Sequence, residues 1–453
     1  MNVEKVRPPG WREFQMGLKR EQFRTRLHEK LPVLGAWAAG VVLVLGILSY
    51  AGSWIFANLG SGLHRTEPAV GEFTKGAASE KRRPARISRQ ELPEVLQGFP
   101  IVAPPSSATY KIERNGSTLA VETSLLPSLQ NYLRDLLQRS LTLHAAAVVM
   151  KPSTGEVLAF SDYHNGGGNG EGSLCLKADY PAASLFKIVA AAAAIDARGL
   201  TPESSLAFRG GRYTLYRSQL KQDKKATGTK ISLTQAFASS INPVFGKVGI
   251  YHLGPSLLTE YADRFFFNRP IPFDLPLAVS PIEAPADDFA LAEVASGYNK
   301  RTFISPLHAA MLAGAVANNG TMMSPRLVRK IEDEGGNLVY RSAPAELASP
   351  IREETARKMR VLMDETVMTG TCRNAFTQFH KKKEFRELEV GAKTGSINDP
   401  VDQHRVDWVT IYAIPDSGPE EAICLSVLGV HGEKMGLRSR DIARHLVENY
   451  FRS

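Results

Sequence analysis

The segment Ile188-Val-Ala-Ala-Ala-Ala-Ala-Ile195 is apolar nearly all round at helical spacing, as expected of a helix buried inside a domain. Just before it stands a lysine, Lys187, three residues after Ser184. Positions i and i+3 share one helical face, so Lys187 can reach the Ser184 hydroxyl. A lysine in apolar surroundings favours its neutral form, which is what a general base needs. Ser184 sits at the helix N-terminus, where backbone N–H groups and the dipole favour developing negative charge. The competing reading is an ordinary N-cap serine beside a lysine snorkelling from a core helix.

Two further motifs bear on that choice: Ser240-Ile241-Asn242, then Lys393-Thr394-Gly395-Ser396. The ordered set S-x-x-K, S-x-N and K-T-G is that of serine acyl-transfer chemistry of the kind that opens β-lactams. Each pattern also arises singly here, as Ser218 to Lys221 and as Ser396 to Asn398, so order and context decide. The Ser218 copy lies in Arg217-Ser-Gln-Leu-Lys-Gln-Asp-Lys-Lys225, a solvated stretch that would leave its lysine protonated. Ser240 follows a helical run, so the second motif falls between two helices; Ser240 could pass a proton and Asn242 could hold a substrate amide. A simple helix cap or turn is the alternative there. On an edge strand, Gly395 would let a substrate backbone approach closely. Lys393 would add positive potential, and the Thr394 and Ser396 hydroxyls could bind a terminal carboxylate; the alternative is a glycine turn between strands.

From Leu31 to His64 the sequence contains no Asp, Glu, Lys or Arg, and Leu31 to Phe56 is long enough to span a bilayer as one helix. Lys19, Arg20, Arg24, Arg26 and Lys30 crowd its N-terminal side, which predicts a cytoplasmic N-terminus and an external catalytic region. A cleaved signal peptide fits less well, because the basic region is too long and the apolar run too extended. The formal net charge of +9 is concentrated partly in that tail and in Lys81-Arg82-Arg83 with Arg86 and Arg89. Neither cluster joins a nucleic-acid reading module, and solvated tails beside an anionic membrane explain them better. Cys175, Cys372 and Cys424 are too few and scattered for a disulfide framework, and no metal or cofactor is expected.

The chain therefore divides into a basic tail (1–30), a membrane helix (31–56), a Gly-, Pro- and Ser-rich linker (57–107) with a short helix over Arg89 to Leu96, and a globular region (108–453). Thr118 to Ser124 alternates like a strand and Leu126 to Ser140 has helical periodicity. His144 to Met150 with Glu156 to Phe160, and Trp408 to Ile414 with Ala422 to Gly429, read as two hairpins. Helices fill the middle, including Ser232 to Tyr251 and Pro306 to Asn319, and Arg438 to Phe451 closes the chain. This predicts an α/β domain of the α+β type, with one antiparallel sheet built from both ends and layered by helices.

From about Thr118 onward the chain resembles the transpeptidase domain of penicillin-binding proteins, in the acyl-serine transferase superfamily shared with serine β-lactamases. The likeness is carried by the three motifs and by Tyr180-Pro-Ala-Ala-Ser184, Ala147 to Ala159, Ile304 to Ala310, Ala317 to Thr321 with Ser324 to Val328, and Val367-Met-Thr-Gly-Thr371. It implies a β-lactamase/transpeptidase-like fold and a D,D-transpeptidase or carboxypeptidase acting on D-Ala-D-Ala stem peptides of peptidoglycan. In that reading Ser184 attacks, Lys187 takes its proton, and the Ser184 and Ser396 N–H groups form an oxyanion hole. Ser240 and Lys393 return a proton to the leaving D-alanine, and Asn242, Thr394, Gly395 and Ser396 bind substrate. β-Lactams would be covalent inhibitors, and other cell-wall synthesis proteins would be partners at the cytoplasmic membrane. A β-lactam-hydrolysing or β-lactam-sensing relative and a non-catalytic scaffold are the alternatives, with Glu283 and Glu293 in the region where a hydrolytic base would lie. Ala183, Ala392, Ser396 and Gly297-Tyr298-Asn299 depart from the family's commoner residues without removing a catalytic group.

Overall fold

The computed structural model describes residues 86–98, 107–114, 116–166, 173–222 and 228–452. The expected tail and membrane helix lie outside the described residues, and among those residues no helix is long and apolar enough to cross a membrane. Along the chain run β1 (Thr109–Arg114), β2 (Ser117–Thr123), α1 (Pro127–Gln138), β3 (His144–Met150), β4 (Val157–His164), α2 (Lys187–Arg198), α3 (Leu233–Ala238), α4 (Asn242–Val248), α5 (Asp288–Ser296), α6 (Pro306–Ala317), β5 (Val328–Glu332), β6 (Leu338–Arg341), α7 (Glu353–Met368), β7 (Glu389–Asn398), β8 (Arg405–Ile414), β9 (Ile423–His431) and α8 (Ser439–Tyr450).

The central sheet has the order β7-β8-β9-β3-β4, antiparallel throughout, so its strands come from both ends of the globular region as the sequence predicts. Strand side chains alternate between faces, and β3 shows the consequence. Ala146, Val148 and Met150 join one apolar core, while Ala145, Ala147 and Val149 join the other. Covering both faces requires helices on both sides. Helices α2, α6 and α7 contribute to the first core, and α1 and α8 to the second. A second antiparallel sheet has the order β1-β2-β5-β6.

Helix α2 occupies the interior: Lys187 and all eight residues after it are buried, which its all-round apolar sequence requires. Helix α6 is buried over its whole length and is pinned to the sheet by two hydroxyls. Thr410 Oγ1 donates to the Ala309 carbonyl at 2.8 Å, and Ser426 Oγ donates to the Pro306 carbonyl at 2.5 Å. The short segment Arg89–Val95 docks on the domain, with Leu92 fully buried and Arg89 donating to the Pro325 carbonyl at 2.7 Å. All three cysteines are buried free thiols.

Candidate active site

The approach to Ser184 is held from two sides. Tyr180 and Pro181 pair with Ile304 and Phe303, and Trp408 Nε1 donates to the Pro181 carbonyl at 2.9 Å. The chain then turns sharply, with Ala183 at φ +49. A non-glycine residue in the left-handed region is strained, and such strain is typical of functional turns. Residues Ala183–Phe186 form a tight 3₁₀ turn before α2 begins at Lys187. In that geometry side chains at i and i+3 eclipse, closer than in an α-helix. Lys187 Nζ lies 2.7 Å from Ser184 Oγ.

Lys187 is completely buried, and burial, with the nearby Lys393 adding to it, drives its pKa well below the usual lysine range. A neutral amine has two hydrogens and one lone pair. The Asn242 Oδ1 and Ser296 carbonyl oxygens, at 2.8 Å and 2.5 Å, accept both hydrogens. Asn242 Nδ2 donates to the Tyr213 carbonyl at 2.9 Å, which orients the amide so that its oxygen faces the lysine. The lone pair is then left for the Ser184 hydroxyl.

The second motif falls between two helices, as its sequence context predicts. Ser240 occupies the turn between α3 and α4 at φ +54, and Asn242 opens α4. Lys393 Nζ donates to Ser240 Oγ at 2.9 Å and to the Thr394 carbonyl at 2.8 Å. It too is fully buried, and burial brings its pKa down to about 7. Two ammonium groups this near one another oppose each other's charge, which favours one of them being neutral.

The third motif lies on β7, the edge of the central sheet, with Ser396 opposite Asp407 of β8. The strand and the Ser184 turn nearly touch at Gly395: a Cβ there would sit 3.2 Å from the Ala182 carbonyl oxygen and 3.3 Å from the Ser184 nitrogen. Thr394 Oγ1 is 2.6 Å from Thr371 Oγ1. In such a pair one hydroxyl donates and the other keeps a free O–H for a third partner. Asp407 anchors this wall. Burial alone would raise its carboxyl, but His431 and Arg438 beside it, with Ser439, hold it well below the usual carboxylate range.

The three motifs thus converge on one cleft of about 1130 Å³, lined by Ser184, Ser240, Asn242, Thr394, Gly395 and Ser396. Lys187 and Lys393 stand behind that lining, out of solvent. Both single-motif copies fall out differently. Ser218 and Lys221 are exposed at the short helix Arg217–Leu220, while Asn398 lies at the end of β7 on the cleft rim. Sequence reasoning did not find the Ser296 carbonyl, the Thr371 hydroxyl's pairing or Arg440, which donates to the Thr371 carbonyl at 2.8 Å. A backbone carbonyl leaves no signal in side-chain identity; for Thr371 the only trace was the Val367-to-Thr371 likeness.

A buried lysine against a serine, beside an edge strand that lines the same cleft, is the arrangement that serine acyl transfer would require. The family model for the penicillin binding protein transpeptidase domain matches residues 145–445, and the chain belongs to that family. It is 25% identical over 261 residues to the stage V sporulation protein D of Bacillus subtilis, covering 55% of this chain and 39% of that protein. It is 24% identical over 347 residues to the peptidoglycan D,D-transpeptidase PbpA of Mycolicibacterium smegmatis, covering 68% of this chain and 67% of that protein. The chain thus spans about two fifths of the first relative and two thirds of the second. In fold it matches penicillin-binding protein A of Mycobacterium tuberculosis, solved as a ceftriaxone acyl-enzyme (TM-score 0.60, 23% identity, 72% of this chain and 79% of that one). The D,D-transpeptidase domain of a peptidoglycan glycosyltransferase from Eggerthella lenta gives a TM-score of 0.61 at 22% identity, with 73% and 82% covered.

Proposed function

We propose that this protein is a membrane-anchored peptidoglycan D,D-transpeptidase that works through an acyl-enzyme on Ser184. One observation carries the reading: the fully buried Lys187 Nζ lies 2.7 Å from Ser184 Oγ and within reach of the Asn242 and Ser296 oxygens, so the neutral amine that burial favours has acceptors for both hydrogens and a lone pair for Ser184. Lys187 takes the hydroxyl proton as Ser184 Oγ attacks the carbonyl of the penultimate D-alanine. The oxyanion forms between the Ser184 and Ser396 N–H groups, a placement supported by the close approach of Gly395, the residue before Ser396, to the Ser184 nitrogen. Ser240, hydrogen-bonded to Lys393, passes a proton to the departing D-alanine nitrogen. Asn242 and the edge strand hold the peptide, and the Thr394 and Ser396 hydroxyls take its terminal carboxylate. An amine from a second stem peptide then resolves the ester into a cross-link; water would give a trimmed peptide instead.

A β-lactam would enter the same sequence and stop at the ester, as in the acyl-enzyme of the mycobacterial neighbour. The charge-free stretch 31–56 and its basic flank support an anchor in the cytoplasmic membrane with the domain outside. The test is the full-length chain in detergent with a fluorescent penicillin, followed by mass spectrometry over time. A persistent adduct on Ser184, lost in Ser184→Ala, is expected. Labelling of another serine in that variant would sink the assignment, and rapid release of the adduct would favour a β-lactamase.

A further inference from the structure

One carboxylate in the cleft is not used by this chemistry. Glu283 and Asp287 also line the cleft, but each faces a cation: Arg301 lies 3.1 Å from Glu283 and Arg217 lies 3.6 Å from Asp287. Among the described residues, no ion pair or side-chain hydrogen bond engages the carboxylate of Glu293. Its backbone carbonyl, by contrast, accepts from Tyr298 N at 2.8 Å and from the side chains of Ser296 and Asn299 at 3.2 Å and 3.4 Å. Burial pushes its carboxyl up, against the weaker opposing pull of Arg301 and Arg217, neither of which pairs with it.

Its position is set by the helix that braces the nucleophile. On α5, Ala290, Glu293 and Val294, with Gly297 just beyond, recur at i, i+3, i+4 and i+7, and all four line the cleft. One turn past Glu293, the Ser296 carbonyl accepts from Lys187, and Gly297 packs against the Ala183 carbonyl. The same cleft is lined by Thr394 and Ser396 of β7 and by Arg438 and Arg440. Of these, Arg438 is paired with Asp407 and Arg440 donates to the Thr371 carbonyl, whereas the Glu293 carboxylate on α5 lines the cleft with no ion pair.

We infer that Glu293 recognises the cationic acceptor, holding a primary ammonium group on the α5 wall beside the acyl-enzyme. This rests on the transpeptidase reading and deepens it. A primary amine is protonated near neutral pH and must arrive as a cation. An unpaired carboxylate attracts it, while neutral water and alcohols gain nothing from that charge. The ammonium gives one proton to solvent. The resulting amine nitrogen bonds to the acyl carbon, the bond from that carbon to Ser184 Oγ breaks, and the second proton leaving nitrogen reaches Ser184 Oγ through Lys187. Neither oxidation nor reduction occurs. Glu293 is thus a specificity residue, choosing amine over water.

The experiment measures how one acyl-enzyme partitions. The full-length chain in detergent is given an N-benzoyl-D-alanyl thioester donor with Nα-acetyl-lysine or methanol as acceptor, and amide, methyl ester and free acid are counted by mass spectrometry. These ratios do not depend on how fast the acyl-enzyme forms. Glu293→Gln should lower the amide-to-acid ratio about tenfold, the loss expected for one charged hydrogen bond. The ester-to-acid ratio should stay as in the unaltered protein, and Glu293→Asp should recover part of the amide. A rise in the amide-to-acid ratio would overturn the inference and make Glu293 the activator of water. An equal fall for methanol and amine would make it a packing residue, and no change in either ratio would leave it without a role. Failure of the unaltered protein to form any acyl-enzyme would refute the transpeptidase reading itself.

Discussion

Gly297 tests whether the brace behind Ser184, the proposed nucleophile, matters. It ends α5 at φ +65, and a Cβ placed there would lie 2.0 Å from the Ala183 carbonyl oxygen, 2.5 Å from its carbon and 3.0 Å from the Ser184 nitrogen. Real Cβ contacts stay beyond 3.0 Å, so Gly297→Ala must separate the two backbones by about 3.0 minus 2.0, or 1 Å. The obstacle is backbone, which cannot swing aside like a flexible side chain. Either Ser184 moves or the end of α5 moves, taking with it the Ser296 carbonyl that holds Lys187. A misplacement of that size costs reactions about 10²-fold. The left-handed conformation adds about 1–2 kcal/mol of strain. Gly336→Ala separates the two effects, because Gly336 has φ +73 and nothing within 4 Å of its would-be Cβ. Acylation rate constants for a fluorescent penicillin and thermal unfolding curves should be measured for both variants. Both should unfold at somewhat lower temperature, and only Gly297→Ala should acylate about 10²-fold more slowly. Acylation of Gly297→Ala no slower than that of Gly336→Ala would refute the reasoning.

Two further outcomes follow from the same geometry. Lys187→Ala should slow acylation by about 10²-fold or more, whereas Lys221→Ala, altering an exposed lysine of the other S-x-x-K, should not; equal effects would mean that the lone-pair argument is wrong. His308 is fully buried, its rings' nitrogens 2.8 Å from Ser280 Oγ and 2.7 Å from the Phe265 carbonyl, and burial lowers its pKa from 6.5 to about 4. Between those values the unfolded chain binds the extra proton, so stability is full above pH 6.5 and falls as pH drops towards 4, by about 3 kcal/mol in all. Urea unfolding at pH 7 and pH 4.5 should show that loss in the unaltered protein and a smaller one in His308→Gln; equal losses would refute it.

The chemistry of the site was legible from residue types at short spacing. Ser184 with Lys187, Ser240 with Asn242, and Lys393 to Ser396 each lie within one turn or one strand, where local geometry alone sets the neighbours. The apolar run after Lys187 announced a buried helix, and hence a lysine that gives up its proton, before any partner was known. The two hairpins were likewise visible as short apolar runs on either side of a turn, although their strands are buried on both faces; only the strand order put Lys393 to Ser396 on an edge.

What the sequence could not reveal is which distant groups meet. Lys187 finds Asn242 55 residues on, and Lys393 finds Ser240 153 residues back. Those contacts depend on how helices pack on the sheet, a sum of many small dispersion and burial terms without a local signature. The same packing made Ser296 an acceptor through its backbone, set Gly297 against Ala183, and left Glu293 without an ion pair while Glu283 and Asp287 found theirs. Sequence alone determined which reacting groups the protein possesses. Tertiary structure decided which of them are neutral, which are paired and which face the cleft, because desolvation and distance belong to the folded chain and not to its order of residues.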